Sequence, residues 1–126
     1  MKRISLTFAL LAACCVSGYA QSWTPSASQI EELEAKIQLD KLLFWKISKL
    51  PLLPGYERFY AGSVLNGDRV ILGELIVPFG KKKSGIHIVP SPKNFPEVYD
   101  GACSVVHVVY SEKRKTITSL TCNGRG

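Results

Sequence analysis

Hydrophobic residues recur along this chain with three different periods, and each period predicts a different element. Residues 4–16 form a near-continuous apolar run behind Met1-Lys2-Arg3. Residues 28–39 place Ile30, Leu33 and Ile37 at helical spacing. From residue 56 onward the apolar positions fall in short runs rich in Val, Ile and Tyr and broken by Gly, Pro and Asn, which is the pattern of strands joined by turns.

The helix has a clear start. Ser26 with Gln29, and Ser28 with Glu31, each fit a capping box, in which the serine and the residue three positions on satisfy each other's free backbone N–H groups. Glu31, Glu32 and Glu34 lie in the first turns, where carboxylates complement the helix dipole. The spacing predicts a helix over 28–39. It is expected to continue over 40–49, where Phe44 and Ile47 extend the apolar stripe. Pro51, Pro54 and Gly55 must end it, because proline removes a donor and clashes with the preceding turn. Such a stripe is expected to pack on the domain's own sheet.

Residues 56–77 read as a hairpin about Asn66-Gly67, the favoured pair for a two-residue type I′ turn. That turn pairs Val64 with Arg69, Ser63 with Val70 and Tyr60 with Gly73. Gly62 and Gly73 interrupt the strands, pointing to bends or to close aromatic cover by Tyr60. Residues 86–89 form a short apolar strand closed by Pro90 and Pro92, which favours an edge. Residues 93–100 are irregular, with Phe95 and Tyr99 as anchors.

A second hairpin spans 101–124. With Glu112 and Lys113 as turn residues, Ser111 faces Arg114 and Cys103 faces Cys122. Opposed Cβ atoms in a sheet stand about 4.5–5.5 Å apart, close to what a disulfide needs. One face then carries Cys103, Val105, His107 and Val109. The other carries Ser104, Val106, Val108 and Tyr110, and either can be the buried one. The fold class expected is α+β: one N-terminal helix on an antiparallel sheet of about four to five strands, ending in a disulfide-stapled hairpin. This element order resembles the cystatin-like and NTF2-like architectures, a resemblance of order alone that implies no function.

Processing changes the picture. A basic start, an apolar run and the small residues ending in Gly18-Tyr19-Ala20 make a secretory signal over residues 1–20, leaving 21–126 as one domain. Leu11-Ala12-Ala13-Cys14 resembles the bacterial lipobox, which implies the alternative of lipidation at Cys14. Cys14 and Cys15 lie in the signal, so Cys103 and Cys122 form the mature pair, and an even pair in an exported domain reads as a disulfide. Neither cysteine belongs to a CxxC unit and the two histidines lack ligand spacing, so no metal or other cofactor is expected.

Charge is uneven. Residues 21–80 hold six basic and seven acidic side chains, and residues 81–126 hold eight and three. Lys81, Lys82 and Lys83 form one basic cluster and Lys113, Arg114 and Lys115 another, both in turns. They would make one patch for an anionic partner if the turns shared an end of the sheet, though loop lysines are commonly just solvated. Aromatics are not interleaved with them, which argues against nucleic acid.

Candidate chemistry is sparse. His87 and His107 would serve acid–base cleavage of a phosphodiester only if both imidazoles faced one pocket. Glu57 and Glu74 share a strand face but are offset, which suits surface charge better than a carboxylate pair. No nucleophile elbow, phosphate loop or zinc spacing appears, so no catalytic residue is assigned.

The phrases Glu57-Arg58-Phe59-Tyr60-Ala61-Gly62, Asp100-Gly101-Ala102-Cys103 and Thr121-Cys122-Asn123-Gly124 resemble phrases in small uncharacterised exported proteins of Gram-negative bacteria. The resemblance implies a periplasmic or secreted protein. The function expected is a non-catalytic module binding a protein partner in the envelope, such as an inhibitor or immunity protein. The alternatives are a lipoprotein, lipidated at Cys14 and so at the membrane, that binds anionic lipid or cell-wall polymer, and a small hydrolase or nuclease using His107.

Overall fold

The computed structural model describes residues 23–42, 50–78, 84–98 and 101–123. The expected signal sequence with Cys14, the expected helix continuation over 43–49, the lysines at 81–83 and Tyr99 lie outside them.

Helix α1 spans Ala27–Glu34. Of the two capping boxes the sequence offers, Ser26 with Gln29 caps the helix and Ser28 lies inside it: Gln29 N donates to Ser26 Oγ at 3.2 Å, and Ser26 N donates to Gln29 Oε1 at 2.8 Å. The helix stops earlier than its apolar spacing predicts. Lys36 N and Ile37 N bond three residues back, to the carbonyls of Leu33 and Glu34, and tighten the last turn. The chain then turns so that Leu39 enters the core from a short 3-10 turn, Leu39–Lys41. Eight residues are too few to hold a helix by propensity, so tertiary contacts decide its end.

Five strands follow. β1 (Glu57–Leu65) and β2 (Asp68–Ile76) form the first hairpin. β3 (Ile86–Ile88) is short, and β4 (Val105–Ser111) and β5 (Thr116–Cys122) form the second hairpin. The sheet order is β3-β1-β2-β4-β5. The architecture is α+β, with the helix on one face. All neighbours are antiparallel except β3, which runs parallel to β1 at the edge and makes the sheet mixed.

The first hairpin has the register that Asn66-Gly67 dictates, from Tyr60 opposite Gly73 to Val64 opposite Arg69. Asn66 and Gly67 have φ of 51° and 80°, as a type I′ turn needs. Gly73 lies under the ring of Tyr60, with a built Cβ only 2.8 Å from Tyr60 Cε1. Gly62 is closed by a different aromatic, because the backbone of Trp23 crosses it and Trp23 Nε1 donates to the Ser63 carbonyl at 2.8 Å.

The second hairpin departs from its expected register. Ser111 pairs with Thr116, not Arg114, so the turn has four residues, Glu112 to Lys115. Lys115 takes φ of 54° to close it, a conformation its side chain does not advertise. A bulge then leaves Thr118 unpaired between Ile117, opposite Tyr110, and Ser119, opposite Val109. Cys122 therefore pairs with Val106. Cys103 is not in the strand at all; it sits in a 3-10 turn, Ala102–Ser104, that carries it to Cys122. The disulfide forms as expected but by a different route.

The helix face of the sheet is the core. Ile30 and Leu33 pack with Tyr60, Ile71, Leu75, Val106, Val108 and Tyr110. In β4 the set that faces the helix is thus Val106, Val108 and Tyr110, and His107 lies on the opposite face, where Val105 and Ser111 are also buried. Burying each such large apolar side chain is worth about 2 kcal/mol.

Candidate functional site

The face away from the helix carries a single rung across all five strands. His87 pairs with Phe59, Phe59 with Glu74, Glu74 with His107, and His107 with Thr121. The two histidines share a face but stand three strands apart, about 14 Å at the usual strand spacing. They do not enter one pocket, so paired-imidazole cleavage of a phosphodiester has no geometric basis here.

Each histidine has its own partner. The His87 ring stacks on Phe59 with centroids 4.7 Å apart, and its Nε2 lies 3.1 Å from Glu57 Oε1. His107 Nε2 is 3.2 Å from Asn123 Oδ1, and Asn123 Nδ2 donates to the Val98 carbonyl at 2.8 Å. Asn123 thereby ties the connection between β3 and β4 to the face that bears His107. Glu74 is 6 % exposed, and burial raises its carboxyl above the usual range, with the positive side of His107 acting in the opposite sense. Glu57 and Glu74 are separated by the Phe59 ring position and do not form a carboxylate pair.

A denser polar cluster lies on the helix face. Arg58 Nη1 donates to Glu34 Oε1 at 2.9 Å and to Oε2 at 3.1 Å, and Tyr60 Oη donates to Oε2 at 2.7 Å. Burial, with the Glu34 carboxylate beside it, holds the Tyr60 hydroxyl protonated far beyond the usual phenol range. Sequence reasoning missed this cluster, although a signal existed. The Asn66-Gly67 register puts Arg58 on the same face as Tyr60, and a cation on a core-facing position calls for an acid from the covering helix. Beside it a groove of about 430 Å³ is lined by Glu34, Ile37, Leu39, Asp40, Leu52 and Leu53.

Of the two basic clusters, only the one at Lys113, Arg114 and Lys115 falls within the described residues. The turn holding Lys113, Arg114 and Lys115 lies at the Asn66-Gly67 end of the sheet, since Ser111 pairs with Val70. Residues 77–78 and 84–85, which bracket the lysines at 81–83, lie at the other end, where Ile86 pairs with Arg58. The C-terminal cluster is also partly neutralised. Lys113 Nζ is 3.9 Å from Asp68 Oδ1, and Lys115 bonds Glu112 and lies 3.7 Å from Glu32 Oε2.

On the far side of the strap that follows α1, a second groove of about 250 Å³ runs beside β5. Lys36, Lys41 and Leu42 form one wall, and Ile117, Ser119 and Leu120 form the other. Lys36 Nζ donates to the Lys115 carbonyl at 2.6 Å and to Tyr110 Oη at 3.4 Å, which fixes the strap against the sheet edge. Among the described residues no group of His, Cys, Asp and Glu is placed to hold a metal ion, and no helix is long and apolar enough to cross a membrane.

Compared with family models, with curated proteins and with solved structures, the chain matches none.

Proposed function

We propose that this protein is a non-catalytic module that binds a protein partner outside the cytoplasm. The observation that carries the reading is the placement of the disulfide. Cys103–Cys122 closes the end of β5, an edge strand, and Tyr56 Oη donates to the Cys103 carbonyl at 2.9 Å from within the core. A covalent bond in that position fixes a sheet edge, and a fixed edge is what strand-wise recognition of another protein requires. A disulfide also fits an oxidising compartment, in keeping with the export signal read from residues 1–20.

The test is recovery of the protein from its native envelope without reduction. The expected result is a chain beginning at Gln21, two hydrogens lighter than its reduced mass, that elutes in a stoichiometric complex with another protein. A chain beginning at a lipidated Cys14 would place the partner at the membrane. A chain that elutes alone under native conditions would defeat the reading.

A further inference from the structure

Both edges of the sheet end in a strand with no described strand beyond it, and they are built very differently. β3 has three residues and is followed by Pro90, two devices that blunt an edge against pairing. β5 has seven residues, Thr116-Ile117-Thr118-Ser119-Leu120-Thr121-Cys122, with no charge and no proline among them. Thr116, Thr118 and Thr121 are exposed. Edge strands left in this state are templates for another chain.

The groove beside β5 gives that template a side-chain pocket. Ile117 and Leu120 both point to the helix side, because the bulge at Thr118 resets the alternation. Leu42 faces them from the strap. The charged part of the lining is cationic: Lys36 and Lys41 contribute, and no carboxylate does. The groove on the other side of the strap carries Glu34 and Asp40 instead, so the two are sorted by sign.

From these features we infer that β5 and its groove bind an extended acidic segment of a partner protein. The segment would lie along Ser119 to Cys122, with one apolar side chain between Leu42, Ile117 and Leu120 and a carboxylate beside Lys41. A second copy of this chain fits less well. The bulge breaks the edge of β5 into short runs, which denies two copies a long ladder, and self-pairing would bring each copy's Lys36 and Lys41 toward the other's. The inference rests on the protein-binding reading above and names the surface and the chemistry of the partner.

Site-directed photo-cross-linking in the native envelope tests it. A photoreactive residue is placed in the full chain at Leu120, at Leu42, at Ile86 on the opposite edge, or at Thr121 on the opposite face. The expected result is cross-linking from Leu120 and Leu42 to a segment of another protein rich in Asp and Glu, mapped by mass spectrometry. Lys41→Glu, an exposed change, should lower that yield at least fivefold and leave the melting temperature unchanged. Three results would overturn the inference: cross-links from Ile86 or Thr121 alone, cross-links to a second copy of this chain, or an unaltered yield in Lys41→Glu. Cross-links from none of the four positions would remove the protein-binding reading as well.

Discussion

Cys103 and Cys122 are bonded with their Cα atoms 4.6 Å apart, yet only Cys122 belongs to a strand. The 3-10 turn before β4 brings Cys103 across the end of the sheet. Asn123 N donates to the carbonyls of Ala102 and Val105 at 3.1 and 2.9 Å and holds the same turn from the other side.

The first prediction concerns this closure. The bond spans a sequence separation of 19, for which the chain-entropy model gives about 3 kcal/mol. Cys103→Ser with Cys122→Ser should lower the unfolding free energy by roughly that amount in urea titrations. An unchanged midpoint would mean that the turn is held by its hydrogen bonds alone.

A second prediction concerns Gly62. A Cβ built there would lie 2.0 Å from the Trp23 carbonyl oxygen, a backbone atom that cannot swing aside. Gly62→Ala should destabilise the domain by about 3 kcal/mol, at the upper end of overpacking effects. Trp23 is held over β1 by its bond to the Ser63 carbonyl and by Arg69, whose guanidinium lies 5.4 Å from the indole centroid. A Trp23→Ala background should therefore shrink the cost of Gly62→Ala, because the covering segment loses its anchor. Equal costs in both backgrounds would contradict this account.

These particulars show what the sequence held in plain view. Asn66-Gly67 and the Ser26–Gln29 box are local signals, complete within four residues, and both formed as read. The disulfide was legible from cysteine arithmetic. The C-terminal register was not, because it depends on a lysine in the left-handed region and on a bulge at Thr118, and neither residue type announces that role. The helix end was hidden for another reason. It is set by bonds from Glu34 to residues 24 and 26 positions away, which no period in the helix itself can reveal. At the candidate site, the sequence showed two histidines but not their three-strand separation, and it showed the lysines of the C-terminal turn but not the carboxylates that engage them.

The Glu34–Arg58–Tyr60 cluster yields a third prediction. Tyr60→Phe removes a hydroxyl bonded to a carboxylate and should cost about 2 kcal/mol. Glu34→Gln should cost more, about 3 kcal/mol, since it leaves the mostly buried Arg58 without its counter-charge. The pH dependence has a definite sign. The folded-state hydroxyl of Tyr60 ionises well above the ordinary phenol value of about 10, so the stability it contributes is intact below that pH and falls as pH rises beyond it. Alkaline unfolding of the wild type should be steeper than that of Tyr60→Phe, followed by circular dichroism. Identical alkaline limbs would show that Tyr60 is not the group responsible.

Glu74 supplies the last prediction, at the other end of the pH scale. It lies buried on the rung between Phe59 and His107, and burial raises its carboxyl above the usual carboxylate range. A raised acid favours its protonated form in the folded state. Its contribution to stability is therefore present at low pH and is lost as pH rises through the folded-state value. His107 faces it from β4 and opposes the shift, while Phe59 faces it from β1 without charge. Glu74→Gln keeps the shape and removes the titration, so it should raise stability at pH 7 and flatten the fall in stability that the wild type shows as pH rises above the usual carboxylate range. His107→Ala should act in the opposite direction, moving the loss of stability associated with Glu74 to a higher pH. Urea titrations at a series of pH values read both effects. A Glu74→Gln profile as steep as that of the wild type would mean that the carboxyl is solvated and that the rung is an ordinary sheet surface.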